Sequence, residues 1–483
     1  MPSTAAVSAL QTLTLGVDIG TSAVRVMAVT AEGHVAAAAS MPLASSVHTG
    51  GHHEQEPAIW WDAVCFTLQY VAKQLGRLSD AVHGISVCGT SGTLVCAASD
   101  GTPLRPAIMY DDGRASREGA ELNDLADSTQ FGASFSLAKA LWVLRHEPDI
   151  FDQTEYLLHP ADWVIGRLTG YYGISDWGNS LKMGYDVESI CWPAWLDRLP
   201  AIRSRLPFVV APGTIIGVVD GVSGFPARLP VVAGTTDGVA SCIASGLSKP
   251  GDFNVTLGTT LVFKAMSSVP LYDLFGRIYS HRLPGNLWLP GAASNTGCAW
   301  IADAFPSADL PAMDKAAEAV LPTSHIAYPL VVDGERFPFR CPEARGFVEP
   351  AAEGLELYAA NLQGTACLER LGYDVLDSFA GCHGGSVFSA GGGSQSDVWM
   401  QLRADVSGRI IHRPACTEAA FGAATLAAAG TIADSPQDAF KSMARIDRTF
   451  TPERQRAYEE PFARFCSALE LRGFFRPRPR QAP

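Results

Sequence analysis

The stretch LTLGVDIGTSAVRVMAV, residues 13–29, decides the fold. Apolar residues alternate with small ones up to Asp18, and a second apolar run begins at Val24. Gly20 and Thr21 lie between the two runs, so the pattern predicts a strand, a tight turn and a second strand. A carboxylate at the end of a buried strand costs free energy unless another group pairs with it. Asp18 is therefore a candidate functional residue.

The layout of this stretch returns in the second half of the chain, in VTLGTTLVFKA, residues 255–265. Here too an apolar strand, a Gly-Thr turn and a second apolar strand follow one another. Two ordinary β-hairpins would show the same pattern. Two α/β halves that each open with such a hairpin would instead indicate a duplicated fold that closes around a nucleotide.

A third glycine-rich turn occurs in SVFSAGGGSQSDVWMQLRADVSGRIIHRP, residues 386–414. The pattern predicts a strand, a turn at 391–393 and a helix from about residue 397 to 406. Such a turn gathers backbone N–H groups and a helix N-terminus at one point, which suits an anion or a nucleotide. The spacing is neither GxGxxG nor GxxxxGK[ST], so dinucleotide-binding and Walker-type loops are not supported.

Asp237 is the strongest candidate for chemistry. In VVAGTTDGVASCIASG, residues 231–246, it follows a buried strand and a Gly-Thr-Thr turn and precedes a helix of small residues. An aspartate at a helix N-terminus also has an ordinary structural role, because it stabilises the helix dipole. We favour the functional interpretation, since the small neighbours leave the carboxylate accessible. Aspartate is a suitable acceptor of a hydroxyl proton during phosphoryl transfer.

Composition excludes several classes of protein. A chain of 483 residues with 47% hydrophobic and 18% charged residues predicts two well-packed domains. The net charge of -13 and the lack of a Lys/Arg cluster argue against a nucleic-acid partner. No run of about 18 apolar residues exists, so we expect no membrane span. The first residues lack the features of a secretory signal, and eleven cysteines without a CxxC pair fit free thiols. We expect a cytoplasmic protein.

Seven segments, taken in order, resemble the FGGY-type carbohydrate kinases, and the resemblance extends from about residue 15 to residue 430. The segments are GVDIGTS (16–22), MYDDGRAS (109–116), DWVIGRLTG (162–170), AGTTDG (233–238), VTLGTT (255–260), GERFPFRCPEARGFV (334–348) and SAGGGSQSDVWMQLRADVSG (389–408). The resemblance implies an α/β fold of two actin-like (ribonuclease H-like) domains with a nucleotide and sugar cleft between them. The implied domains are residues 13–248, for sugar binding and the catalytic base, and residues 249–470, for nucleotide binding.

The resemblance also implies roles for individual residues, with ATP and Mg²⁺ as cofactors. Asp237 would be the catalytic base, and Asp18 would hold Mg²⁺ beside the transferred phosphoryl group. The residues implied for ATP are Thr21, Gly258 and Thr259 at the phosphates, and Gly297, Gly392, Gly393, Ser396 and Trp399 at the nucleoside. Trp399 could equally be a core residue of its helix. Ser396 stands where the family often has an Asn facing adenine, and Asp111 stands where an Asn is common.

Within the family, three segments resemble the D-ribulose kinases of the cyanobacterial and plant type. They are GTSGT (89–93), SDWGNSLKMGYD (175–186) and IYSHRLPGNLWLPGAASNTG (278–297). This likeness implies ATP-dependent phosphorylation of a free ketopentose, D-ribulose, to D-ribulose 5-phosphate. It places Ser91 in the sugar pocket beside Asp237, with Asp112 near it.

Alternatives remain open. The same chemistry on D-xylulose or another polyol is the first. A catalytically silent sugar or nucleotide sensor is the second, and the joint retention of Asp18, Thr21 and Asp237 argues against it. A chaperone-like ATPase of the same architecture is the third, and it would need a peptide-binding domain for which the chain has no room. The expected partners are a small sugar and ATP, and both a monomer and a homodimer are possible.

Overall fold

The computed structural model describes residues 12–44, 46–126, 130–219, 224–273, 275–379 and 384–475. It divides into two compact units. Among the described residues, the first unit holds those up to Gly246 together with His281–Asn286 and Cys416–Arg445. The second unit holds Leu247–Ser280, Leu287–Ala415 and the residues from Ile446 onward.

The described residues form runs of strands separated by helices. The strands are β1 Leu13–Ile19, β2 Ala23–Thr30, β3 Val35–Pro42, β4 Val47–Thr49, β5 His52–Gln55, β6 Val82–Gly89, β7 Val95–Ala97, β8 Ala107–Ile108, β9 Tyr156–Leu158, β10 Ile174–Asp176, β11 Phe208–Val210, β12 Ile215–Val218, β13 Pro230–Val232, β14 Phe253–Leu257, β15 Leu261–Ala265, β16 Tyr279–Leu283, β17 Leu287–Ser294, β18 Ile326–Tyr328, β19 Phe347–Glu349, β20 Val387–Ala390, β21 Ile411–Pro414 and β22 Ile446–Phe450. The helices are α1 Pro57–Leu75, α2 Ser116–Leu125, α3 Ser136–His146, α4 Pro148–Gln153, α5 Pro160–Thr169, α6 Trp177–Ser180, α7 Pro200–Arg203, α8 Asp237–Ala244, α9 Ala299–Ala304, α10 Leu310–Glu318, α11 Gly354–Asp377, α12 Asp397–Ser407, α13 Ala419–Thr431, α14 Pro436–Met443 and α15 Glu459–Leu471.

The first unit is built on a six-stranded sheet with the order β12-β13-β6-β1-β2-β3. Strand β1 pairs antiparallel with β2 and parallel with β6, and β6 pairs parallel with β13. The strand β1 is buried along its whole length, as expected for a central strand covered on both faces. The parallel strands β1, β6 and β13 therefore end at the same edge of the sheet.

The second unit is built on a seven-stranded sheet with the order β16-β17-β15-β14-β20-β21-β22. Strand β14 pairs antiparallel with β15 and parallel with β20, and β20 pairs parallel with β21. Strand β17 is antiparallel to β15 and the edge strand β22 is antiparallel to β21, as β3 is to β2 and β12 is to β13 in the first sheet. Six strands of this sheet thus repeat the order and direction of the first sheet, which confirms the duplicated layout predicted from the two hairpins.

Helix α13 explains why residues 416–445, late in the chain, pack with the first unit. The helix consists largely of Ala and packs against β1, β6 and α8. Its approach is so close that a Cβ on Gly16 of β1 would lie 1.8 Å from the carbonyl oxygen of Ala420. A Cβ on Gly422 would lie 1.8 Å from the carbonyl oxygen of Ala240. By packing, residues 416–445 thus belong with the first unit, whereas the range 249–470 predicted from the sequence assigns them to the second domain.

Local sequence signals account for several elements. Gly76 follows the last residue of α1, and Gly170, with φ +76°, caps α5. The helix predicted from about residue 397 to 406 is α12. Strands lie on either side of residues 89–93, but they do not pair with each other, since β6 belongs to the main sheet and β7 pairs with β9. Within the described ranges, no helix combines the length and the apolar composition that crossing a membrane requires.

Candidate active site

Three of the sequence-predicted residues follow the parallel strands of the first sheet. Asp18 lies at the end of β1, Ser91 follows β6, and Asp237 follows β13. Asp18 is level with Cys88, and Gly89 forms a bridge to Thr236, the residue before Asp237. Because the carboxyl ends of parallel strands in an open α/β sheet form the usual ligand site, this edge is the candidate active site of the first unit.

Asp18 has a protein partner that the hairpin supplies. In the antiparallel register of β1 and β2, Asp18 is opposite Arg25. The Arg25 guanidinium donates from Nη1 to Oδ2 of Asp18 at 3.4 Å, and its Nε lies 3.7 Å from the Glu418 carboxylate. The thiol of Cys88 donates to Oδ1 of Asp18 at 3.8 Å. The buried carboxylate of the first motif is therefore paired, although the pairing is long.

The surroundings of Asp18 disfavour its charged form. Burial raises the pKa of Asp18 from 3.8 to about 7, the charge of Asp237 adds to the rise, and Arg25 partly opposes it. Glu418 also raises the pKa. A cation beside Asp18 would offset this excess of negative charge, so the residue suits a divalent metal.

The donor set around Asp18 is compatible with Mg²⁺. Within the described part of the chain, no group of three or more His, Cys, Asp or Glu side chains could hold a metal ion by itself. Proteins commonly bind Mg²⁺ through one or two carboxylates, with water and substrate phosphates as the other ligands. A single buried carboxylate at a strand end is consistent with that mode of binding.

Asp237 is the first residue of α8 and is partly exposed. The residue before it, Thr236, is extended, so the chain turns sharply into the helix at this point. The N–H of Gly238 donates to Oδ1 of Asp237 at 2.6 Å, which stabilises the carboxylate form. Gly238 itself is exposed. The carboxylate that the sequence proposes as a base thus lies in an open position at the sheet edge.

Ser91 lies in a loop, residues 89–93, that two lysines hold by its backbone. The Lys182 ammonium donates to the carbonyl oxygen of Ser91 at 3.2 Å. The Lys139 ammonium donates to the carbonyl oxygen of Gly92 at 2.7 Å. Thr90 and Thr93 bridge the loop through a hydrogen bond of 2.8 Å between their hydroxyls.

Asp112, proposed to lie near the sugar, is engaged in a buried ion pair. It accepts hydrogen bonds from the Arg114 side chain at 2.7 and 2.8 Å and from the N–H of His53 at 2.6 Å. Burial alone would raise the pKa of Asp112, but the hydrogen bonds from Arg114 and His53 hold it below its ordinary value. Asp111 is exposed and its Oδ1 contacts Nδ1 of His53 at 2.5 Å.

Thr21 lies in the turn between β1 and β2. Its carbonyl oxygen accepts a hydrogen bond from the Gln55 side chain at 3.1 Å, and the N–H of Gly20 donates to Ala23 at 3.1 Å. Thr21 is partly exposed. The turn therefore has a fixed backbone, with the threonine close to Asp18 in the chain.

In the second unit, glycines bring together three segments that are distant in the sequence. A Cβ on Gly297 would lie 2.6 Å from the carbonyl oxygens of Gly258 and Thr259, and the N–H of Cys298 donates to Gly258 at 2.7 Å. A Cβ on Gly393 would lie 2.5 Å from the Leu257 side chain and 3.1 Å from the sulfur of Cys298. The turns predicted to bind ATP are thus neighbours, and only glycine allows them to approach this closely.

Gly392 differs from the glycines around it. It is exposed, and a Cβ placed on it would meet no heavy atom within 4 Å. The adjacent Gly391 has φ +88°, a conformation that favours glycine. Gly392 therefore presents bare backbone at the surface of the second unit.

Ser396 and Trp399 have structural partners. The hydroxyl of Ser396 caps α12 by accepting a hydrogen bond from the N–H of Trp399 at 3.0 Å. The Trp399 ring is 1% exposed, packs edge-on against Trp300, and donates from Nε1 to the carbonyl oxygen of Leu362 at 3.1 Å. Of the two roles left open by the sequence, this position favours the core role for Trp399.

Several polar residues at these positions escaped the sequence interpretation. Arg25 could have been found by counting residues across the predicted hairpin. Lys182 lies within a segment whose family likeness was evident, but nothing in its spacing indicates contact with Ser91. Glu335 accepts hydrogen bonds from Ser294, Thr296 and Tyr328 and so supports the segment before Gly297. Long-range contacts of this kind have no local signature.

Comparison with known families agrees with this geometry. The model of the FGGY family of carbohydrate kinases, N-terminal domain, matches residues 13–244. The model of the C-terminal domain of the same family matches residues 253–431. The two matches correspond to the two repeated sheets with their connecting helices.

Individual relatives cover nearly the whole chain. The chain is 29% identical to the xylulose kinase of Escherichia coli K12 over 94% of its own length and 99% of that protein. It is 30% identical to the xylulose kinase of Streptomyces rubiginosus, with 88% of this chain and 89% of that protein covered. The crystal structure of xylulose kinase from Rhodospirillum rubrum superposes with a TM-score of 0.82 at 27% identity, over 95% of this chain and 98% of that one.

Proposed function

Because the chain belongs to the FGGY family of carbohydrate kinases, we propose that it transfers the terminal phosphoryl group of ATP to a free ketopentose. The preferred substrate in this proposal is D-ribulose, and the product is D-ribulose 5-phosphate. The observation that carries the proposal is the meeting of Asp18, the Ser91 loop and Asp237 at the carboxyl edge of β1, β6 and β13.

Asp237 is the base in the proposed reaction. It accepts the proton of the sugar's terminal hydroxyl while that oxygen bonds to the γ-phosphorus and the bond to the β-phosphate oxygen breaks, which releases ADP. Its partly exposed position at the start of α8 and the hydrogen bond from Gly238 suit a carboxylate that must be ionised before the reaction.

Asp18 holds Mg²⁺ in this proposal, and the Thr21 turn contributes donors to the phosphates. When bound, Mg²⁺ neutralises part of the negative charge on the phosphate oxygens. The burial of Asp18 and the electrostatic effects of Asp237 and Glu418 support a cation at this position.

The nucleotide is assigned to the glycine turns of the second unit. The backbone at Gly258, Thr259 and Gly297 and the exposed Gly392 offer N–H groups to phosphates and a surface without side chains to the nucleoside. Ser396 contributes here by fixing the N-terminus of α12.

Two ketopentoses compete as substrate. The segments at 89–93, 175–186 and 278–297 support D-ribulose, while the relatives named above support D-xylulose as the second candidate. The two sugars differ in configuration at one carbon. A site that forms hydrogen bonds to one hydroxyl arrangement discriminates against the epimer, because the epimer leaves polar groups of the site unpaired.

A coupled ADP-release assay with D-ribulose, D-xylulose, L-ribulose and glycerol tests the proposal. We expect kcat/KM for D-ribulose to exceed that for D-xylulose at least about tenfold, which corresponds to ~1.4 kcal/mol. A reversed preference would transfer the assignment to D-xylulose. ADP release that does not depend on any of the sugars would refute a ketopentose kinase.

A further inference from the structure

The loop at residues 89–93 is held by two ammonium groups on successive carbonyls. Lys182 donates to Ser91 and Lys139 donates to Gly92. Hydrogen bonds from a charged donor are stronger than those between neutral groups, so the two contacts fix the path of the loop. The loop carries the residue that the proposed function places in the sugar pocket.

The stem of Lys182 lies directly against the loop. Gly92 has φ +87°, and a Cβ on it would lie 2.7 Å from Cδ of Lys182 and 2.3 Å from the carbonyl oxygen of Ser134. Gly92 is therefore required by its backbone conformation and by the carbonyl oxygen of Ser134. The Lys182 stem packs against the same glycine.

The two lysines differ in their surroundings. Lys139 is fully buried, and burial together with the nearby charge of Lys182 lowers its pKa to about 7. Lys182 is only partly buried. Burial lowers the pKa of Lys182 as well, but the negative charge of Asp237 acts in the opposite direction. Lys139 thus supports the loop from the interior, whereas Lys182 lies at the surface of the site within the electrostatic reach of the base.

We propose that Lys182 is a sugar-binding and specificity-determining residue of this kinase. An ammonium group has three N–H donors, and the contact with Ser91 uses one. The ammonium thus lies beside the Ser91 loop, where the proposed function places the ketopentose, and the charge of Asp237 acts on it. Lys182 donates to an oxygen of the sugar near the hydroxyl that reacts, and its charge favours the ionised form of Asp237. This inference rests on the proposed function.

The position gives Lys182 a part in choosing the epimer. The oxygen that it contacts is fixed relative to the terminal hydroxyl at Asp237, so inversion of a neighbouring carbon moves that oxygen away from the ammonium. The site then keeps a partly buried donor without its acceptor. Loss of the lysine is therefore expected to lower the affinity for the preferred ketopentose. It is also expected to lower the ratio of kcat/KM for that ketopentose to kcat/KM for its epimer.

Steady-state kinetics of Lys182→Met in the full-length enzyme test the inference. Methionine keeps the stem against Gly92 and removes the ammonium. We expect KM for the ketopentose that the wild type prefers to rise at least about tenfold, with KM for ATP within about twofold of the wild-type value. The preference between D-ribulose and D-xylulose is expected to fall by at least about threefold.

Two further variants complete the test. Lys73→Met removes an exposed lysine of α1 and should change none of these constants. Lys182→Arg keeps the charge with a different geometry, and we expect it to restore part of the affinity. If the methionine variant does not fold, an arginine variant with unchanged ketopentose KM and unchanged preference overturns the inference.

The outcomes separate the inference from the proposed function. An unchanged ketopentose KM in Lys182→Met, or equal increases for sugar and ATP, would overturn the role of Lys182 while leaving the kinase intact. A wild-type enzyme that phosphorylates neither ketopentose would refute the proposed function. Calorimetric titration of the sugars into wild type and Lys182→Met without nucleotide would then still decide whether Lys182 binds a sugar, and equal affinities would overturn it.

Discussion

Asp237 can be tested by changing its charge while keeping its shape. Asparagine at this position can still accept the hydrogen bond from Gly238, but it cannot take up a proton at neutral pH. We expect Asp237→Asn to lower kcat by roughly 10²–10⁴-fold with a much smaller change in sugar affinity. The ADP-release assay gives kcat, and calorimetry gives the affinity. Near-normal kcat at saturating sugar would remove Asp237 from the mechanism.

Asp18 makes the stability of the enzyme depend on pH. Its pKa is about 7 in the folded state, above the ordinary value of 3.8. Between these values the folded protein keeps a proton that the unfolded chain has lost, so this contribution to stability falls as the pH rises from about 4 to 7. Asp18→Asn has no such contribution to lose. We expect the variant to gain stability relative to wild type across this window, by on the order of 1–4 kcal/mol.

The measurement is thermal or urea unfolding of both proteins at pH 5, 6, 7 and 8 without Mg²⁺ or nucleotide. The difference between variant and wild type should grow toward pH 8, and sugar phosphorylation by the variant should be nearly abolished. A difference in stability that stays constant with pH would show that Asp18 is not the titrating group.

At the scale of single residues, the sequence predicts candidates better than it predicts their partners. Asp18 and Asp237 stand out because each is a charge at the end of an apolar strand. Arg25 is seven residues from Asp18, and only the hairpin register makes it a partner. Asp112 forms an ion pair with Arg114, which competes with the contact proposed between Asp112 and the sugar. The sequence alone does not reveal this ion pair.

Among the elements, α13 connects the strand of Asp18 with the helix of Asp237. Gly422 of this helix allows the contact, because a Cβ there would overlap the carbonyl oxygen of Ala240 in α8 at 1.8 Å. Gly422→Ala must separate the two helices, so we expect a loss of about 1–3 kcal/mol of stability. Urea unfolding measures it. Gly132→Ala is the matched control, since its Cβ would meet no atom within 4 Å. Equal effects of the two substitutions would contradict the packing account.

The glycine turn of the second unit offers a paired test of nucleotide binding. An alanine at Gly392 has open space, so Gly392→Ala should leave stability within about 0.5 kcal/mol. If the turn receives ATP, the added methyl group should raise KM for ATP about threefold or more and leave KM for the sugar unchanged. Gly393→Ala should instead lower stability, because its Cβ would meet Leu257 at 2.5 Å. An unchanged KM for ATP in Gly392→Ala would argue against a nucleotide at this turn.

The elements themselves follow from local sequence signals. Apolar alternation and turn residues predicted β1, β2, β14, β15 and α12 close to their observed bounds. The pairing of the strand after residue 93 could not be predicted from local signals, because β7 pairs with β9, which is distant in the chain. Pairing between distant segments depends on the whole core and not on the composition of either strand.

At the scale of the whole molecule, the duplicated fold is the feature that the sequence predicts most clearly. Two hairpins with the same layout predict two sheets, and the sheets share six strands in the same order and direction. The assignment of residues 416–445 to the first unit could not be predicted in this way. It depends on close packing of small residues in α13 against small residues in β1 and α8. Such packing involves three distant segments and cannot be read from any one of them.

The most direct test of the account is the identity of the product. D-ribulose, ATP and Mg²⁺ are incubated with wild type and with Asp237→Asn, and the products are followed by proton-coupled ³¹P NMR and mass spectrometry. The account predicts one pentulose phosphate from the wild type, with a phosphorus signal split by two methylene protons and one ADP formed per product. The variant should form the same product roughly 10²–10⁴-fold more slowly. ADP and inorganic phosphate as the only new phosphorus-containing products, or equal rates for the two proteins, would contradict the claim that Asp237 directs phosphoryl transfer to a ketopentose.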